Sequence, residues 1–79
     1  MYLVIEIQKF SDTQVSVVTP VITRENELEA ESEYHRLLSI AAVSSVPQHT
    51  IIFSRDGGYL YEYKCYIHSQ QEEELNLEK

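Results

Sequence analysis

Glu27-Leu28-Glu29-Ala30-Glu31-Ser32-Glu33-Tyr34-His35-Arg36-Leu37-Leu38-Ser39-Ile40-Ala41-Ala42-Val43-Ser44-Ser45-Val46-Pro47-Gln48-His49 is the stretch on which the fold turns. At about 100° per residue, Ala30, Tyr34, Leu37, Leu38 and Ala41 share one side of a helix. Glu29, Ser32, Arg36 and Ser39 fall on the other. Asn26, with Glu29 three residues on, has the form of a capping box, and Thr23 is a competing cap. Glutamates crowd the first turns, where the helix dipole favours negative charge. Pro47 disfavours helical geometry at Val46, which predicts a helix end near Val43 to Ser45. Glutamate at every second position from 25 to 33 has a strand period, but the apolar residues keep helical spacing, and they decide the reading.

Strand-like sequence flanks the helix on both sides. Leu3, Ile5 and Ile7 alternate with Tyr2, Val4, Glu6 and Gln8. Ser11-Asp12-Thr13 reads as a turn, and a second strand runs from Val15 to about Thr23. Pro20 cannot donate to a ladder, which places that strand at a sheet edge. His49 to Arg55 and Tyr59 to Ile67 flank Asp56-Gly57-Gly58, a strong hairpin signal, since type I′ turns need φ > 0. Register in this hairpin puts His49, Ile51 and Phe53 on a face with Leu60, Glu62, Lys64, Tyr66 and His68. Thr50, Ile52 and Ser54 then share the other face with Tyr59, Tyr61, Tyr63, Cys65 and Ile67. Both faces carry apolar groups, and one helix covers only one of them.

These elements predict an α+β fold: ββαββ, with a four-stranded, mainly antiparallel sheet and the helix on one face. A grasp-like strand order is expected, with Pro20 on an edge and the strand of residues 59–67 in the centre beside the first. Glu62 and Lys64 would then be costly against the helix, so Leu3, Ile5 and Ile7 are expected to face it with Tyr61, Tyr63 and Cys65. Residues 1–68 form one domain in this reading, and 69–79 an acidic flexible tail.

The chain has 79 residues, near the lower limit for a self-sufficient core. Cys65 is its single cysteine, so no internal disulfide forms, and a lone thiol fits a reducing, cytoplasmic setting. The first residues lack the pattern of a signal peptide, and no apolar run approaches the ~20 residues of a membrane span. The net charge is −7, of which −3 belongs to residues 69–79. Direct binding to nucleic acid or to an anionic membrane is disfavoured, since both need lysine and arginine against phosphate.

Candidate chemistry is thin. Cys65 and His68 have an odd separation, which sends them to opposite faces of a strand, and Cys65 reads as a buried structural thiol. His49 and His68 share a face with Glu62, but as a metal set they are short of ligands, and ordinary polar positions at strand ends explain them better. His35 follows Glu31 by one helical turn, a surface pair. Four of six tyrosines lie between Tyr59 and Tyr66. A base-stacking platform would want more cations around them, so core or interface is the better reading. Both glycines lie in one turn, which leaves no phosphate loop. No cofactor and no enzymatic activity is expected.

The run Glu29-Ala30-Glu31-Ser32-Glu33-Tyr34-His35, continued by Leu37-Leu38 and by Ala41-Ala42-Val43-Ser44-Ser45-Val46-Pro47 to His49, resembles a family of small acidic proteins encoded by phages and prophages of gut-dwelling Firmicutes. Tyr2-Leu3-Val4-Ile5-Glu6-Ile7-Gln8 and Tyr66-Ile67-His68 are similar too, so the likeness spans most of residues 1–68. The resemblance implies an accessory protein acting in the cytoplasm of a bacterial host by binding a host protein, such as a CRISPR or other defence nuclease. No functional residue is carried over with it. Glu29, Glu33 and Asp56 are the expected partner-binding residues. A homodimer is expected as well, through Ile51, Phe53, Leu60 and Tyr66 on the face without the helix. The alternatives are a homo-oligomer that sequesters a nucleotide through tyrosines and Arg24, Arg36 or Arg55, and a structural or regulatory phage component.

Overall fold

The computed structural model describes residues 1–56 and 59–68. In chain order they form β1 (Tyr2–Ser11), β2 (Gln14–Val17), β3 (Ile22–Arg24), α1 (Glu27–Ala42), β4 (Gln48–Arg55) and β5 (Tyr59–Ile67). The class is α+β: one helix lies across one face of an antiparallel sheet. Gly57 and Gly58 of the hairpin turn and the expected tail at 69–79 lie outside the described residues. Asp56, at the start of that turn, has φ 53°, in the left-handed region.

The sheet runs β2-β1-β4-β5, with β3 continuing β2's edge of β1. The second strand is at an edge, as Pro20 required, and it is broken into two pieces where Pro20 follows Thr19 through a cis peptide bond. The grasp-like order is corrected. β4 sits beside β1, antiparallel along its length from Tyr2↔Arg55 to Lys9↔Gln48, and β5 takes the far edge. The expectation had placed residues 59–67 in the centre. Glu62 and Lys64 are the reason against it, because on an edge both stay exposed and neither is desolvated.

The helix-facing set is corrected with the order. Val4 pairs with Phe53 and Glu6 with Ile51, and it is this face that α1 covers. The core comprises Val4, Ile51 and Phe53 from the sheet with Ala30, Tyr34, Leu37 and Ala41 from the helix, and Tyr2, Ile22, Leu38 and Tyr66 pack around it. Leu3, Ile5 and Ile7 lie on the opposite face with Thr50, Ile52, Tyr63 and Cys65. The parity derived for the second hairpin holds from Glu62 to Tyr66. It fails at Leu60, because a bulge at Tyr61 shifts the register between Phe53↔Glu62 and Ser54↔Leu60.

α1 starts and stops as its sequence dictates. The Asn26 side chain accepts hydrogen bonds from the Leu28 and Glu29 amides, at 2.8 and 3.2 Å. The Val43 and Ser44 amides fold back onto Ile40 and Ala41. No basic residue occupies the last turn. Instead, His68 at the end of β5 places Nε2 2.9 Å from the Ala41 carbonyl, capping the helix from the sheet. Among the described residues, no helix is long and apolar enough to cross a membrane.

Candidate functional site

A buried polar chain is the first local feature of note, and strand periodicity alone gave no sign of it. β1 carries Glu6 onto the covered face, β4 carries His49 there, and the loop after α1 brings Ser44 over them. The His49 Nε2 lies 2.6 Å from Glu6 Oε2, and its Nδ1 lies 2.8 Å from Ser44 Oγ. Gln8 donates to the same Glu6 oxygen at 3.3 Å, and the Val46 amide donates to Ser44 Oγ at 3.3 Å. Beside a carboxylate, Nε2 is the donor, and Nδ1 pairs with the Ser44 hydroxyl. His49 is 2% exposed, so it is not the ordinary strand-end position that its sequence context implied. Hydroxyl, imidazole and carboxylate in a row have the make-up of a proton relay. The Ser44 oxygen already accepts a hydrogen bond, and the imidazole is closed off by its neighbours. The arrangement fastens β1, β4 and the end of α1 to one another. Its one sequence signal was the pairing of a polar residue at 49 with polar residues on the same face of β1.

At the other end of the covered face, aromatic rings fill the space under α1. Phe53 has Tyr61 at 5.2 Å edge-on, Tyr34 at 5.5 Å and Tyr2 at 6.3 Å between centroids. The bulge turns Tyr61 onto this face, where the Arg55 guanidinium lies 5.3 Å from its ring and 5.7 Å from that of Tyr59. Burial pushes the hydroxyl pKa of both Tyr34 and Tyr2 above the usual tyrosine value.

The expected partner-binding residues do not form one patch. Glu29 is exposed on the outer side of α1, with Glu25 and Glu27 exposed beside it. Glu33 is engaged: Arg36 reaches it at 2.7 Å and Arg24 at 3.1 Å. The Arg36 hydrogen bond, helped by Arg24, holds the Glu33 carboxyl below its ordinary range. Asp56 lies at the hairpin turn, 3.3 Å from the amine of Met1 and 3.6 Å from Arg55 Nε. His35 and Glu31 form the expected surface pair at 3.8 Å.

The expected dimer residues are also separated. Ile51 and Phe53 are buried beneath α1 and cannot meet a second copy, and Tyr66 packs against the core. Leu60 alone reaches the open face, turned there by the bulge. Cys65 is exposed, not buried, because nothing among the described residues covers its face. That open face is nevertheless apolar. Val15, Val17, Leu60 and Tyr63 are exposed on it, and Leu3, Ile5, Ile7 and Ile52 are half-buried among them.

A depression of about 150 Å³ lies where the β1–β2 turn meets the start of β4, lined by Lys9, Phe10, Ser11, Asp12, Pro47 and Gln48. Ligand pockets usually run from about 300 Å³ upward, so its size fits a few waters better than a metabolite. Comparison with family models, with curated proteins and with solved structures finds no match to this chain.

Proposed function

We propose that the chain acts by binding another protein and not by catalysis, with the open face of its sheet as the contact surface. The observation that carries this reading is the apolar field of Leu3, Ile5, Ile7, Val17, Ile52, Leu60 and Tyr63, which no element among the described residues covers and which has the character of an interaction surface. Charge narrows the partner. Lys9, Arg24, Arg36 and Arg55 each lie within 4 Å of a carboxylate of the same chain, whereas Glu25, Glu27 and Glu29 have no basic partner among the described residues. The domain thus offers uncompensated negative charge, which suits a partner with a basic surface such as a nucleic-acid channel.

Together with the resemblance noted for residues 1–68, this supports a host protein as the partner and the role of a phage-type accessory inhibitor acting in the bacterial cytoplasm. A CRISPR or other defence nuclease is the most concrete example. Nucleotide sequestration draws less support, because Arg24 and Arg36 are committed to Glu33.

Two variants test the reading with a partner captured from host lysate and identified by mass spectrometry. Val17→Glu with Leu60→Glu alters only exposed side chains and should abolish capture without unfolding the domain. Reversal of Glu25, Glu27 and Glu29 to lysine should slow association and remove its salt dependence. Capture unchanged by the first variant would reject the open face, and turnover by the purified protein would reject the non-catalytic reading.

A further inference from the structure

β5 is a nine-residue strand that, among the described residues, is paired on one side only. α1 lies over β1, β3 and β4 and barely reaches it. Which of its backbone groups are free follows from the ladder. The His68 amide donates to the Pro47 carbonyl at 2.8 Å. Antiparallel pairs alternate between bonded and non-bonded, so Tyr66, Lys64 and Glu62 also direct their backbone groups at β4. Tyr63, Cys65 and Ile67 therefore turn theirs outward, along an open edge. Edges of this length are normally blunted, because they are templates for another strand.

We propose that this edge pairs with the same edge of a second copy, antiparallel, with Tyr63 meeting its own counterpart on the two-fold axis. The side chains select both the occupant and the register. Centred on Tyr63, the pairing puts Glu62 opposite Lys64 of the second copy and Lys64 opposite its Glu62. Both contacts fall at non-hydrogen-bonded positions, where facing side chains are closest. The neighbouring registers that keep outward backbone groups matched set Glu62 against Glu62, or Lys64 against Lys64, and both are repulsive. Glu62 and Lys64 are exposed, and among the described residues neither has a carboxylate or cationic partner within its own chain. The bulge at Tyr61 limits the regular ladder to the middle of the strand. Such a pair places both helices on one side of a continuous sheet and joins the two open faces on the other. The pairing is independent of what that open face binds.

The full chain is measured by light scattering or sedimentation equilibrium over about 1–100 µM, the range in which a modest dimer dissociates. The wild type should be a dimer at the upper end. Glu62→Lys and Lys64→Glu should each raise the dimer dissociation constant about tenfold or more, since each turns two attractive contacts into repulsive ones. The swap E62K/K64E should return to near the wild-type value. An equimolar mixture of E62K and K64E should dimerise where neither does alone, because lysines of one strand then face glutamates of the other. Circular dichroism confirms that all four proteins are folded. A wild type that stays monomeric, single variants that dimerise as well as the wild type, or a mixture that does not associate would each overturn the pairing.

Discussion

Ile51 and Ile52 are neighbours in β4 with the same side chain, and they live in different environments. Ile51 is 0% exposed beneath α1, while Ile52 is half-buried on a face that no second layer covers among the described residues. The same contrast runs through β1, where Val4 is sealed and Ile5 is not. What separates the faces is the company each keeps. The covered face has Phe53, Tyr2 and Tyr61 to fill the volume under a helix, and Glu6 with His49 to satisfy each other in the dry layer. The open face is a field of branched aliphatic side chains with a threonine, a thiol and the single outlying ring of Tyr63 among them. Apolar character alone does not say which side of a sheet is the inside. Ring volume and matched polar groups do.

The strongest way to break this contrast is a pair of equivalent truncations. Ile51→Ala should lower the unfolding free energy by about 2–5 kcal/mol, the range for a fully buried aliphatic side chain. Ile52→Ala should cost about 1 kcal/mol, since much less area leaves water at that position. Urea unfolding of the two variants reads the difference directly. Equal losses would mean that the open face is covered in solution.

This contrast also marks how far the sequence could be read. The helix was fully legible, because its apolar residues repeat at one spacing, Asn26 caps it and Pro47 stops it. All four predicted strand segments exist, and Pro20 put the second at an edge. The strand order was not legible. Every strand that could be central is apolar on both faces, so alternation left the inside undetermined. The choice then rests on Glu62 and Lys64, which are costly against the helix only if their strand is central. On an edge they cost nothing, and the inferred inside and outside exchange places. The bulge at Tyr61 leaves no mark in composition, and it sets Leu60 and Tyr61 on faces opposite to those that strict alternation along β5 gives them. Of the candidate site, the exposed glutamates at the helix start were readable. The partners that occupy Glu33 come from a distant strand end as well as from its own helix, and only the fold brings Arg24 within 3.1 Å.

A smaller effect sharpens the difference by removing polarity from the covered face. Glu6→Leu leaves the imidazole Nε2 without its acceptor in a dry site and should cost about 1–3 kcal/mol. Adding His49→Leu should recover part of that loss, because removing both members of a buried pair is cheaper than stranding one. A double variant less stable than the single one would show that the pair contributes more than its own mutual satisfaction.

The smallest effect at neutral pH comes from Tyr34→Phe, which keeps the ring against Phe53 and removes the hydroxyl. Burial raises the folded-state pKa of Tyr34 above the ordinary 10.0, so its contribution is complete below that pH and is lost as pH rises through and beyond it. Thermal melts of the wild type should therefore fall on the alkaline side, and the phenylalanine variant should fall less steeply. An identical alkaline profile would place the Tyr34 hydroxyl in water.

Glu6, Ser44 and His49 come from β1, from the turn after the helix and from β4, the carboxylate and the imidazole being 43 positions apart. Glu6 and Ser44 both satisfy His49, which water cannot reach, so none of the three is free to drift alone. Losing the carboxylate strands the buried ring, and losing the ring takes from the carboxylate its shortest hydrogen bond. Substitution along a lineage would therefore pass through a disfavoured single change, and the surviving solutions are the polar set or an apolar set of similar volume. Relatives of this chain should show these three positions exchanged as a block, with Glu6 and His49 switching together even where the surrounding aliphatic residues vary one at a time.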